Sequence, residues 1–292
     1  MKNIAAGLGF ALLWASASAA TKFGIQAVHP LLLSNVRFFL AGILLLVLAY
    51  GLRRNPWPTR LEWKQLHIYG LLNVTIYLGC FSWAMRYNSA GIGSLSTATT
   101  PLIISILSAL WLRRPVYWQE ATGLLLGVMG VACAVYPLLG QSYVTWQGIV
   151  ILGVSMFSYS VGTIYYSTRQ WRLSLLAING WQVLLGGLWL LPFTMLTTDW
   201  SANVYDVTFV GSVFWLVLVV SIGAVQLWLY LLKTDPLKAS LWLFLCPVFG
   251  FIYAAWLLHE PITLYTYTGT ALVITGLAIA WQRKYSHSNR KV

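Results

Sequence analysis

Charge is what this sequence has least of. Only 8% of its 292 residues are Asp, Glu, Lys or Arg, against 59% hydrophobic residues, whereas a water-soluble domain carries about a quarter charged residues. That balance excludes a globule wetted on all sides, and lipid is the solvent for most of the chain. Acids are the scarcer sign: there are six, and none lies in residues 1–61. Glu62, Glu120 and Asp235 stand beside basic residues, and Asp199, Asp206 and Glu260 fall in other breaks. His29, His67, His259 and His287 do not cluster by spacing. A membrane-embedded enzyme, such as one that modifies lipids, needs paired carboxylates, histidines or a metal, and the sequence brings none together. The three cysteines (Cys80, Cys133, Cys246) sit inside apolar stretches without paired spacing, which argues against a disulfide framework or a metal site. No GxxxxGK[ST], HExxH or GxSxG is present, so no nucleotide loop or catalytic elbow is indicated and no cofactor is called for.

What is present is apolar sequence in helix-sized lengths. A helix needs roughly 20 predominantly apolar residues to cross the hydrocarbon core, and about ten such stretches follow one another: 3–22, 31–50, 66–86, 92–112, 119–139, 146–166, 175–196, 211–232, 238–258 and 262–281. None alternates as a barrel strand would, so the fold class is all-α integral membrane. Lys2 and the run to Ala20 imitate a secretory signal, but this segment has a counterpart later in the chain and is read as the first span. The net charge of +12 is scattered through short loops rather than gathered on a soluble face, which excludes a nucleic-acid surface. With the N-terminus cytoplasmic, all but three of the 18 basic residues fall on the inner side, the exceptions being Lys22, Arg37 and Arg86. This asymmetry predicts a multi-pass protein of a cell (inner) membrane with both termini cytoplasmic.

The two halves repeat. A shift of 146 residues superimposes Pro101 on Pro247, Leu112 on Leu258, Pro115 on Pro261, Gly123 on Gly269 and Gly130 on Gly276. The period is five spans, an odd number, so the second copy starts on the opposite face: an inverted repeat. The expected organisation is residues 1–139 and 146–281 as two five-helix repeats, with 282–292 a cytoplasmic tail.

Trp14-Ala15-Ser16 followed by Lys22, Arg37-Phe38, and the paired segments Ser94 to Ala132 and Ser240 to Ala278 resemble the EamA family of the drug/metabolite transporter superfamily, ten-helix type. The most specific element is a proline, an apolar run, Glu-Pro and a glycine-spaced helix, complete in the second copy as Pro247, Glu260, Pro261 and Gly269; the first copy has Arg114 where that pattern has glutamate. The resemblance implies a secondary transporter or facilitator exporting small organic metabolites such as amino acids. A drug or lipophilic-cation exporter is the alternative.

The residues that would serve such a role are polar or aromatic groups at membrane depth. Lys22 and Arg37 are costly there unless they face a cavity, a partner or the interface; together they suit an anionic group. Asn73 and Tyr77 share a helix face, and Gln182 and Gln226 add amides at depth that serve either a cavity or interhelical bonding. Trp14, Trp83 and Tyr159, with Trp181 and Trp228, lie deep enough to wall a site, while Trp57, Trp63, Trp118, Trp146, Trp171, Trp200 and Trp281 read as interfacial belts. Pro101, Pro247, Glu260 and Pro261 read as hinges or helix ends. Gly123, Gly127 and Gly130 permit close helix packing, within one chain or across a homodimer. The expected partners are thus a small-molecule substrate, the lipid bilayer and, through these glycines, a second copy.

Overall fold

The computed structural model describes residues 2–52, 55–111, 118–138, 144–234 and 242–288, and every regular element among them is helical. Helix α1 runs Lys2–Ala27 and α2 Pro30–Leu46, the latter prolonged by a π-helical turn, Val47–Leu52. Next come α3 (Arg60–Gly70), a π segment (Leu71–Ile76) and α4 (Tyr77–Ala84) in one continuous run. Then follow α5 (Ala90–Thr97), α6 (Thr100–Trp111), α7 (Trp118–Val135), α8 (Trp146–Ser167) and α9 (Leu175–Thr197). Another continuous run joins α10 (Val207–Phe214), a long π segment (Trp215–Ala224) and α11 (Val225–Thr234). The 3-10 turn Trp242–Leu245 leads into α12 (Cys246–Leu258), and α13 spans Leu264–Ser288.

Seven of the described helices are long and apolar enough to cross a membrane: Asn3–Ala27, Pro30–Gly51, Ala90–Trp111, Ala121–Leu138, Trp146–Ser167, Leu175–Thr197 and Val207–Trp228. Their outward faces are apolar, with Leu196 85% and Val207 84% exposed. Contiguous apolar surface of this kind is lipid-facing rather than wetted.

Short polar residues start the helices where the sequence breaks. Ser89, Thr145, Ser174 and Asp206 each accept a backbone N–H from three residues on, satisfying donors that a helix start leaves orphaned. Thr59 and Glu62 form a reciprocal capping box, which is why α3 begins at Arg60, ahead of the apolar run that places the third span at 66–86. The first span also extends, from the expected residue 22 to Ala27, leaving Lys22 inside the helix. The 92–112 stretch is broken at Ala98 and Thr99 into α5 and α6, because Pro101 lacks an N–H and obstructs the carbonyl four residues back. Pro247 likewise occupies the first turn of α12. Helix α13 continues through residues assigned to the tail as far as Ser288, and residues 289–292 lie outside the described set.

Four buried apolar clusters hold the bundle. They centre on Phe81, Ile92 and Met156; on Leu31, Phe38 and Leu216; on Phe10, Ala15 and Leu243; and on Leu66, Leu173 and Leu185. Helices α7 and α13 approach closely, backbone to backbone. A Cβ on Gly130 would lie 2.5 Å from the Gly269 carbonyl oxygen, and one on Gly276 would lie 2.6 Å from that of Gly123. The close-packing glycines are therefore engaged within the chain.

Candidate functional site

A cavity of about 130 Å3 opens where the four apolar clusters meet. Its wall takes Phe10 and Trp14 from α1, Arg37 and Phe38 from α2, and Tyr69, Asn73 and Tyr77 from the α3–α4 run. Tyr159, Thr163 and Tyr166 come from α8, Leu175, Asn179 and Gln182 from α9, Ser221 and Trp228 from the α10–α11 run, and Leu243 from the turn before α12. Phe10, Tyr166 and Leu175 belong to the early part of α1, the end of α8 and the start of α9. The cavity thus reaches toward one end of the bundle.

Aromatic rings make most of that wall. Phe10 stacks on Trp228 with centroids 4.9 Å apart and lies 5.9 Å from Trp14, and Tyr77 meets Tyr159 at 4.6 Å. Across this wall runs a ribbon of hydrogen bonds. Asn73 Nδ2 donates to Gln182 Oε1 at 2.9 Å, and Gln182 Nε2 donates to Asn179 Oδ1 at 3.0 Å. Asn179 Nδ2 reaches the Ser221 carbonyl at 3.5 Å, and Arg37 Nε donates to Ser221 Oγ at 3.0 Å. Asn179 and Gln182 are three apart on α9 and therefore share a face. Asn73 and Ser221 both sit in π segments, where the loosened backbone ladder commonly marks functional positions. Among the described residues that line the cavity there is no Asp or Glu.

Beyond this chamber lies a much smaller cleft of about 20 Å3, lined by Ser18, Phe81, Ser94, Thr97 and Val220, among others. Trp14, Arg37, Tyr77 and Leu78 line both and so form the constriction between them. Further along, side-chain and backbone contacts draw one end of the bundle together. Glu260 accepts the Ala90 N–H at 2.7 Å and the Gly91 N–H at 3.1 Å, a carboxylate on the positive end of α5, and Lys22 lies within electrostatic range of Glu260. At the same end the Val204 N–H donates to the Ala27 carbonyl, and the His29 N–H donates to Asn203 Oδ1.

Six of the nine residues expected at a cavity, namely Trp14, Arg37, Asn73, Tyr77, Tyr159 and Gln182, are brought together. Lys22 stands instead at the closed end, and Trp83 packs edge-on against His29 at 6.2 Å. Gln226 does not line the chamber, and its amide nitrogen is buried without a partner. Of the two other deep tryptophans, Trp228 lines the chamber, while Trp181 donates to Tyr50 Oη at 2.9 Å in a separate aromatic group with Trp57 and Trp63. Glu260 and Pro261 fall in the turn after α12, as helix-end residues. Sequence reading missed Asn179, Ser221, Tyr69 and Phe10. Asn179 was within reach, since it lies one helical turn before Gln182.

A profile of the EamA-like transporter family matches residues 1–136 and 146–282. The chain belongs to that family. It is accordingly a multi-pass membrane protein, and several of its homologues are named uncharacterized transporters. It is 25% identical to the uncharacterized transporter YvbV of Bacillus subtilis, covering 92% of this chain and 88% of that protein. Identity to an uncharacterized transporter of Archaeoglobus fulgidus is 26%, covering 93% of this chain and 95% of the other. Protein PecM of Dickeya dadantii is 25% identical, covering 96% of this chain and 92% of PecM. A crystal structure superposes with a TM-score of 0.66 over 96% of both chains at 20% identity, a likeness of fold alone.

Proposed function

We propose that this chain is a secondary transporter that exports small organic metabolites, such as amino acids, by alternating access through the chamber around Arg37. The observation that supports the reading is an aromatic and amide chamber reaching toward one end of the bundle, joined through Trp14, Arg37, Tyr77 and Leu78 to a smaller cleft, with Glu260 bonded to the start of α5 at the other end. An inverted pair of five-helix repeats, 1–139 and 146–281, ten spans in all, is supported by two symmetries. Exchanging residue n for n+146 converts the Gly130–Gly269 approach into the Gly276–Gly123 approach. The same shift carries the π segment 71–76 onto 217–222, inside Trp215–Ala224. Two such halves rocking about their interface open a central site to either side in turn.

The open end is the one at which α1 begins. Positive-inside placement of Lys and Arg makes that end cytoplasmic in an inner membrane, the side from which an exporter loads. No catalysis is assigned to the chain, since the chamber offers amides, phenols and a guanidinium but no acid–base pair. An aromatic chamber is also compatible with lipophilic cations, though Arg37 opposes them. Counterflow in proteoliposomes, with unlabelled solute inside and labelled solute outside, tests the reading on an amino-acid panel. Accumulation that requires a matching internal solute supports it; leakage only of inorganic cations overturns it.

A further inference from the structure

Arg37 is 5% exposed and sits on α2, seven residues from its start, roughly 10 Å along the helix. A buried cation is ordinarily paired, because removing it from water costs several kcal/mol that only a partner charge offsets. Yet Arg37 has no carboxylate partner among the described residues. Its Nε donates to Ser221 Oγ at 3.0 Å, and its ring neighbour Phe38 lies with its centroid 5.8 Å from the guanidinium carbon. No described acceptor takes its terminal N–H groups, and these belong to a residue that lines both chambers. Ser221 fixes one edge of the planar fork, leaving the other donors for a planar oxyanion, the geometry that guanidinium recognises in two parallel bonds. Stacked Phe10 and Trp228, with Tyr159, offer the body of a ligand an apolar, π-rich surface on the open side. Asn73 Oδ1 is buried with no partner, an acceptor for a ligand donor.

We propose that Arg37 is the head-group receptor of this chamber and that its ligand is a carboxylate carried on an apolar or aromatic body, bound head-first toward the constriction. The proposal rests on the chamber being the transport site and deepens that reading by making the anion the recognised group. Lys22, at the closed end, takes no part in it.

The test is thermal unfolding of the detergent-solubilised full chain with 3-phenylpropionate, phenylalanine, 3-phenylpropionamide and 3-phenylpropylamine. The two carboxylates are expected to raise the melting temperature of wild type in a saturable manner; the amide and the amine are not. Arg37→Gln should weaken carboxylate binding by about 30-fold or more, and Arg37→Lys should recover part of it. Ser221→Ala, which frees the fixed edge of the fork but leaves the charge, should weaken carboxylate binding less than Arg37→Gln does; an equal loss in the two variants overturns the charge as the recognised feature. Equal stabilisation of wild type and Arg37→Gln overturns the proposal. So does stabilisation by the amide or amine, or failure of every carboxylate to stabilise wild type. Counterflow of the same compounds separates the two readings. Arg37-dependent binding without flux removes the transport reading and leaves the receptor, whereas flux unchanged in Arg37→Gln removes the receptor and leaves transport.

Discussion

Glu260→Gln is expected to open the closed end of the pathway. The Glu260 carboxylate binds two buried N–H groups, those of Ala90 and Gly91, at the start of α5 and belongs to the half of the chain that does not contain α5. If the two halves rock apart as proposed, opening at this end breaks those two bonds. Hydrogen bonds to a charged group contribute about 1.5–3 kcal/mol each, and the positive end of a helix adds to them. Glutamine retains one carbonyl acceptor, loses the charge and turns an NH2 group toward the second N–H. A loss of about 2 kcal/mol corresponds to roughly a 30-fold rise in the open population, because a two-state equilibrium moves by the contact energy that differs between its states. Thr97 lines the small chamber behind the latch and is buried. In a background with Cys80, Cys133 and Cys246 replaced, Thr97→Cys should react slowly with a membrane-impermeant maleimide added from the Glu260 side, and roughly 30-fold faster once Glu260→Gln is added. Equal labelling rates would show that α5 and Glu260 move as one body and that this contact gates nothing.

Three further outcomes follow from packing and capping. Gly276→Ala places a Cβ 2.6 Å from the Gly123 carbonyl oxygen and 2.9 Å from Leu126 Cβ, so backbone must move. A loss of about 1–3 kcal/mol is expected, seen as a lower melting temperature in detergent. Gly153→Ala, with nothing within 4 Å, should be neutral or stabilising by about 0.5–1 kcal/mol, since alanine is the better helix former. For Glu62, burial pushes the carboxyl up, but N–H bonds from the Thr59 and Arg172 backbone and the Thr59 hydroxyl outweigh it and hold it below the ordinary carboxylate value. Its folded form thus binds its proton less readily than the unfolded chain. The stability it adds is complete above the unfolded carboxylate range and is lost as pH falls through the depressed folded value. Glu62→Gln should lower the melting temperature at neutral pH, and the gap from wild type should narrow on acidification; a gap independent of pH would refute the ionic role.

Much of the architecture was legible because lipid leaves few options. Helix-length apolar runs, prolines such as Pro101 and Pro247, and caps such as Ser174 and Asp206 each carry a local physical meaning that survives folding. Asn73, Gln182 and Arg37 were legible as candidates for a related reason, since a polar group at depth must find a cavity or a partner. What sequence leaves open is the choice between those two. Lys22 and Arg37 are both basic groups in apolar helices, yet one lies near Glu260 at the bundle end and the other bonds a hydroxyl and lines the chamber. The choice is made by neighbours from α9, α10–α11 and the turn after α12, far away in the chain. Ser221 was illegible for the same reason, because only the π segment that turns its hydroxyl toward α2 gives it a role.

The proposed inverted repeat accounts for a difference between the two ends of the proposed pathway. Shifted back by 146 residues, Glu260 corresponds to Arg114, a position outside the described residues. Arginine has five N–H donors and no acceptor, so no side chain at that position receives helix N–H groups as Glu260 does at α5. A protein with exact two-fold equivalence would hold its inward- and outward-open forms at equal energy. On that reading the Glu260 carboxylate favours the form closed at its own end. Installing the missing acceptor tests this directly: Arg114→Glu should slow maleimide labelling of Thr163→Cys, in the chamber wall, from the open end. In the same chain it should raise labelling of Thr97→Cys from the Glu260 side. Movement of only one of the two rates would mean that the ends are not coupled through a common axis.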